Sequence, residues 1–108
     1  MHNDHKFRLV AICASTLIVA ITLVQAAQKT GETLFNEHCV SCHAGGGNII
    51  KPDKTLRQTD REKSGIKTAK DISKFIRTAH DGMPAFDKKT ISDKEAKSIA
   101  EYIIKTYR

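Results

Sequence analysis

A chain of 108 residues has room for one domain at most, and a 16-residue apolar run near its start takes up part of that length. Its formal charge of +6 is spread out, without clusters of basic and aromatic residues, which excludes a nucleic-acid-binding module. No stretch alternates with period two long enough to argue for strands, and no repeat or internal linker divides the chain, so the fold class is all-α.

Residues 1–26 read as a secretory signal peptide, cleaved after Ala26, which leaves 27–108 as the folded domain. Lys6 and Arg8 precede the apolar run Leu9–Val24, and Val24, Gln25 and Ala26 follow with small residues at both ends of the triplet. The run is shorter than the ~20 residues a spanning helix prefers. No stable membrane anchor is therefore expected after cleavage, and an uncleaved anchor is the alternative. Cys13 sits mid-run as apolar filler, so Cys39 and Cys42 are the cysteines that remain. Residues 27–108 hold 16 Lys or Arg against 11 Asp or Glu. A domain this small struggles to bury enough apolar surface by itself, and a disulfide, metal or cofactor usually supplements the core.

Four short helices are predicted in order. Thr30 or Gly31 opens the first, which presents Leu34, Phe35 and Cys39. Residues 44–54 form a loop, because three glycines and a proline forbid regular structure. Thr55 and Gln58 resemble a capping box for a second helix that ends near Gly65. Thr68 and Asp71 start a third, with Ile72, Phe75, Ile76 and Ala79 at helical spacing. A loop from His80 to Thr90 follows. Ser92 and Glu95 then cap the last helix, with Ile91 as a staple toward Ala96 and with Ala96, Ile99, Ala100, Ile103 and Tyr107 along one face.

Cys39-Val40-Ser41-Cys42-His43 is C-x-x-C-H, the signature of haem c attachment. Two thiols at this spacing can each add across one porphyrin vinyl group, and the adjacent imidazole is carried beneath the ring. A disulfide-exchange site competes, but it belongs beside a βαβ unit. A zinc site competes too, and would need four ligands where only His38, His43 and His80 accompany the cysteines. A plain disulfide would close too small a loop to constrain much.

For the sixth coordination position the candidate is Met83, the only methionine of residues 27–108. Met with His is a common ligand pair in electron carriers. Pro84 biases Met83 toward an extended backbone, and Gly82 permits a tight turn before it. His80 is the rival, with a solvated imidazole as its default reading. His38 reads as a surface imidazole directed away from the iron.

The segments GETLFNEHCVSCHAGGGN, KPDKTL and MPAF stand in an order similar to that of class I c-type cytochromes, and from Gly31 to Ile104 the chain resembles the cytochrome c6 family of small soluble electron carriers. The resemblance implies a class I cytochrome c fold, four short helices around one covalently bound haem c. It implies that the first and last helices cross, with Gly31 and Phe35 meeting Tyr102. It makes Cys39 and Cys42 the thioether residues, His43 the proximal iron ligand and Met83 the distal one. A carbonyl of the 44–53 loop, with Pro52 the candidate, is expected to accept a hydrogen bond from the other His43 nitrogen. One departure stands out. Family members often carry glutamine eight residues before the axial Met, where this chain has Phe75, so a potential below that of the photosynthetic members is expected.

The implied function is a one-electron shuttle with no catalytic side chain. Its expected partners are redox proteins with acidic docking patches, reached through lysines of which Lys88 and Lys89 lie nearest Met83 in sequence. A monomer is expected. Two alternatives stay open: a haem-based sensor or small peroxidase-like enzyme, which would need an iron position that opens, and a cytochrome subunit of a larger oxidoreductase. The lack of a long Arg- and Ser-rich transit peptide favours the periplasm, with the thylakoid lumen as the alternative.

Overall fold

The computed structural model describes residues 27–108, so the apolar run, Cys13 and the expected cleavage site lie outside the described residues. Five α-helices run through them: α1 (Gly31–His38), α2 (Val40–His43), α3 (Gln58–Lys63), α4 (Ala69–Phe75) and α5 (Asp93–Thr106). The fold is all-α. Among the described residues the one extended pairing is an isolated antiparallel bridge between His80 and Met83. No helix among them is long and apolar enough to cross a membrane.

The helix starts follow their caps where the cap is local. Thr30 accepts from the Thr33 amide at the start of α1. Thr68 with Asp71 and Ser92 with Glu95 form complete capping boxes for α4 and α5. The expected box at Thr55 and Gln58 does not form. Thr55 instead donates its hydroxyl to Asp60 Oδ2 at 2.5 Å, and the Gln58 side chain donates forward to Glu62. Helix α3 consequently begins behind Arg57, with no side-chain cap. The first expected helix is also divided, because Cys39 leaves helical geometry at φ −123° and separates α1 from α2. Ala79 is exposed because α4 stops at Phe75, and Tyr107 lies just past α5 as its C-cap.

Helix α5 is the element on which α1 and α4 both pack. Its Ala96, Ile99, Ala100 and Ile103 are buried against Leu34 and Phe35 of α1 and Ile72 of α4, with Ile76 and Ile91 completing the core. The crossing with α1 depends on Gly31. A Cβ there would lie 2.1 Å from the Ser98 carbonyl oxygen and 2.9 Å from Tyr102 Cβ, so the two backbones touch with no room for a side chain. Phe35 packs beside this crossing, with ring centroids 5.3 Å from Tyr102 and 5.8 Å from Tyr107. The expected meeting of Gly31 and Phe35 with Tyr102 is realised.

The cap of α5 carries a testable pH dependence. The Ser92 amide, and then its hydroxyl, hold the Glu95 carboxyl below its ordinary pKa. A carboxylate lowered on folding stabilises the fold above its unfolded pKa, and that stabilisation fades as pH falls through the folded value. Ser92→Ala should cost about 1 kcal/mol in urea unfolding near neutral pH. The gap between wild type and Glu95→Gln should be open near neutrality and close on acidification through the carboxylate range. A gap that is constant with pH would show the cap to be uncharged.

Candidate functional site

The C-x-x-C-H segment folds as one tight turn at the end of α1. The Cys39 amide donates to the Phe35 carbonyl at 2.8 Å, and the Cys39 carbonyl accepts from His43 at 2.9 Å. Both thiols are half-buried, and they are not bonded to each other. Burial pushes the Cys39 thiol up to about 11. A disulfide-exchange cysteine needs the opposite shift, toward thiolate at neutral pH, so this environment disfavours that chemistry. Among the described residues no group of three or more His, Cys, Asp or Glu side chains could hold a metal ion, which disfavours zinc.

His43 closes α2, and its Nδ1 lies 2.7 Å from the carbonyl oxygen of Gly47. A carbonyl accepts only, so Nδ1 carries the proton and Nε2 keeps its lone pair. The acceptor is in the expected loop but is Gly47, not Pro52. A 3₁₀ turn over Ala44–Gly46 folds the chain back directly after His43 and brings the Gly47 carbonyl under the ring, while Pro52 is exposed. Asn48 secures the rest of the loop by accepting from the Ile50 and Lys51 amides and donating to the Lys54 carbonyl.

Met83 ends a tight hairpin. His80 and Met83 exchange both backbone hydrogen bonds, at 2.9 and 2.8 Å, around Asp81 and Gly82. Gly82 has φ +80°, and a Cβ on it would come within 2.6 Å of Ile50 Cγ2, so the turn needs glycine for conformation and for space. After Pro84, the Phe86 amide donates to the Ile76 carbonyl at 2.8 Å. Arg77 then donates to the carbonyls of Phe86 and Ile91 and pairs with Asp93 at 2.9 Å, which fastens the whole Met83–Ile91 segment between α4 and α5.

His80 departs from the solvated imidazole expected of it. It is half-buried, stacked on Phe75 with centroids 3.6 Å apart and planes 2° from parallel, and its Nε2 lies 2.9 Å from the Phe75 carbonyl oxygen. That nitrogen therefore donates to backbone and has no lone pair for iron. His38 sits apart from these groups, partly buried with its ring edge-on to Phe86 at 6.3 Å.

Cys39, His43, Phe75, His80 and Met83 line one cavity of about 370 Å³. Cys42 is not part of its wall. Leucine, isoleucine and phenylalanine side chains make up about half of the remaining lining, and polar and charged residues border the rest, among them Lys51, Lys54, Arg61 and the carboxylates Asp60 and Asp81. Arg61 is buried, and its Nη1 has no hydrogen-bond partner. A flat apolar macrocycle with carboxylate tails fits this set: an apolar floor of core side chains, an imidazole with a free lone pair, a thioether, the Cys39 thiol and an orphaned cationic donor. Neither Arg61 nor Arg77 was singled out from sequence. Arg61 sits among charged and polar residues and Arg77 between Ile76 and Thr78, and nothing in DREKSG or FIRT distinguishes a buried arginine from a solvated one.

Comparison with known proteins gives a consistent result. The family described as "Cytochrome C oxidase, cbb3-type, subunit III" matches residues 26–103. The chain is similar to the cytochrome c6 of Cyanidioschyzon merolae, 38% identical over 90 residues, spanning 82% of this chain and 85% of that protein. It is 31% identical to the cytochrome c6 of Cyanidium caldarium over 100 residues, spanning 89% and 90%. Among solved structures it is similar to the outer membrane cytochrome OmcF of Geobacter sulfurreducens, with 41% identity and a TM-score of 0.70 over 72% of this chain and 99% of that one. It is also similar to cytochrome c6 of the diatom Phaeodactylum tricornutum, with 37% identity and a TM-score of 0.66 over 71% and 90%. With one covalently bound haem c and the work of carrying electrons, not of catalysis, this chain belongs to the class I c-type cytochromes of the cytochrome c6 family.

Proposed function

We propose that Cys39 and Cys42 carry the two thioether bonds, that His43 and Met83 are the axial ligands, and that the couple they hold passes single electrons between protein partners. One observation supports this assignment above the rest. The 2.7 Å contact between His43 Nδ1 and the Gly47 oxygen leaves Nε2 as the ring's lone pair, in a cavity that Met83 also lines. The haem, when bound, supplies a one-electron iron couple. His43 and Met83 would together hold the iron and leave no position for substrate or oxygen, which favours a carrier over a sensor or a peroxidase-like enzyme. The chain's own residues tune the couple in opposite senses. The Gly47 carbonyl makes the imidazole more basic and favours ferric iron, while the Met83 thioether and the apolar wall favour ferrous iron.

Residues 1–26 act in this reading as a cleaved signal peptide, and the domain 27–108 works as a monomer in the periplasm. Its partners present acidic docking patches. The surface beside the Met83 hairpin suits such a partner: Ile49 and Ile50 are 67% and 53% exposed, Ile50 lies against Gly82, and Lys54 stands next to them, while Lys51 pairs with Asp81 of the hairpin. Lys88 pairs with Asp93 at 3.0 Å on the surface, an exposed contact too weak to withhold its charge from a partner. A second reading, a cytochrome subunit of a larger oxidoreductase, is favoured by the description of the matching family.

Three measurements test these proposals. The exported protein should have the mass of residues 27–108 plus one haem, together with a Soret band; a bare-chain mass refutes the haem assignment. Gly82→Ala should weaken the Met–iron charge-transfer band of the oxidised protein, and Met83→Ala should abolish it; a band surviving Met83→Ala removes Met83 from the iron. Electron transfer to the native partner should slow as salt rises, since steering by surface charge is screened beyond ~10 Å at 0.1 M. A flat salt profile would exclude steering, and co-purification in a stable assembly would favour the subunit reading.

A further inference from the structure

Arg61 is the one buried charged side chain among the described residues, at 5% exposure. A guanidinium stays protonated inside a protein, and a buried charge without a counter-ion is costly. Two of its nitrogens are accounted for. Nε donates to the Leu56 carbonyl at 2.7 Å, and Nη2 reaches the Tyr107 carbonyl at 3.4 Å. These contacts hold the guanidinium between the start of α3 and the end of the chain. Nη1 is buried with no partner.

No carboxylate forms an ion pair with this cation among the described residues, and only the Glu62 charge acts on it through space. Asp60 is taken up by the Thr55 hydroxyl at 2.5 Å and by Lys63 at 3.5 Å. Glu62 accepts from the Gln58 side chain. The ion pairs of the fold pass Arg61 by, yet Arg61 borders the cavity that His43 and Met83 also line. A fixed, desolvated N–H donor beside a cofactor cavity calls for an anionic acceptor supplied by the cofactor, and a charge-assisted bond to carboxylate is the strong form of that contact.

We propose that Arg61 binds a haem propionate, with Nη1 donating to the carboxylate. The proposal rests on the haem of the reading above and adds a binding residue to it. Arg61 thereby supplies the counter-charge for one tail of the porphyrin and ties that edge to α3 and to Tyr107, the C-cap of α5. Its cation near the iron disfavours the ferric state, so its loss should lower the midpoint potential.

The direct test is NMR of the reduced wild-type holoprotein with ¹⁵N-labelled arginine. Slowly exchanging Arg61 guanidinium protons with cross-relaxation to the propionate methylenes are expected; cross-peaks to water alone, or none, overturn the proposal. This measurement needs no variant to fold. Redox titration above the carboxylate range should give Arg61→Leu a lower midpoint potential than wild type. The control is Arg57→Leu, which removes an equal charge from an exposed position and should shift the potential less. Equal shifts in the two variants overturn the proposal while the haem reading stands. A wild-type protein with the bare-chain mass overturns both.

Discussion

Five of the nine buried apolar side chains belong to two surfaces at once. Ile72, Ile76, Ile91, Ile99 and Ile103 pack into the core with Leu34, Phe35, Ala96 and Ala100, and the same five wall the cavity that His43 and Met83 line. The core of this small domain is therefore built around its cofactor. A chain of this length has too little apolar surface to close a core on itself, and a covalently held macrocycle supplies the missing partner. The packing of α5 serves both ends, because α1 and α4 lie against it and present the C-x-x-C-H turn and the Met83 hairpin to one space.

Short hydrogen-bonded devices, none involving more than a few residues, hold that space open in the right shape. The Ala44–Gly46 turn places the Gly47 carbonyl on His43. The His80–Met83 hairpin, with the Phe86 amide on Ile76 and the three contacts of Arg77, fixes the opposite wall. Both devices consist of loop backbone, which by itself is the most mobile part of a fold. Each is fastened by side chains that donate to backbone carbonyls, and such bonds hold loops where helices cannot reach. His80 illustrates the economy: its backbone forms the hairpin, its ring stacks on Phe75, and its Nε2 donates to the Phe75 carbonyl.

Much of this was legible in the residues because the determinants are local. Capping boxes at Thr68 and Ser92 act within four positions, and both form as the spacing predicts. The C-x-x-C-H spacing carries its chemistry within five residues. Gly82 before Met83 signals a turn with positive φ, and the hairpin has it. Local reasoning failed where a nearby competitor won: Thr55 bonded Asp60 instead of capping a helix at Gln58.

By itself the sequence determined the all-α class, the order of helices, the small core that needs a supplement, and the four residues proposed to hold the haem. The helices and the Cys39, Cys42 and His43 assignment depend on periodicity or on spacing within one turn of chain, while Met83 follows from being the only methionine of residues 27–108 and from the family resemblance. Tertiary structure alone decided that Gly47 and not Pro52 meets His43, that His80 stacks on Phe75 instead of facing water, and that Arg61 lies buried with an unpartnered nitrogen. The first two are settled within five positions by how the chain turns after α2 and after α4, which residue type does not specify. The third depends on segments that come together across tens of residues. Leu56, Arg61 and Tyr107, for example, meet only after α3 and the end of α5 have packed into one body.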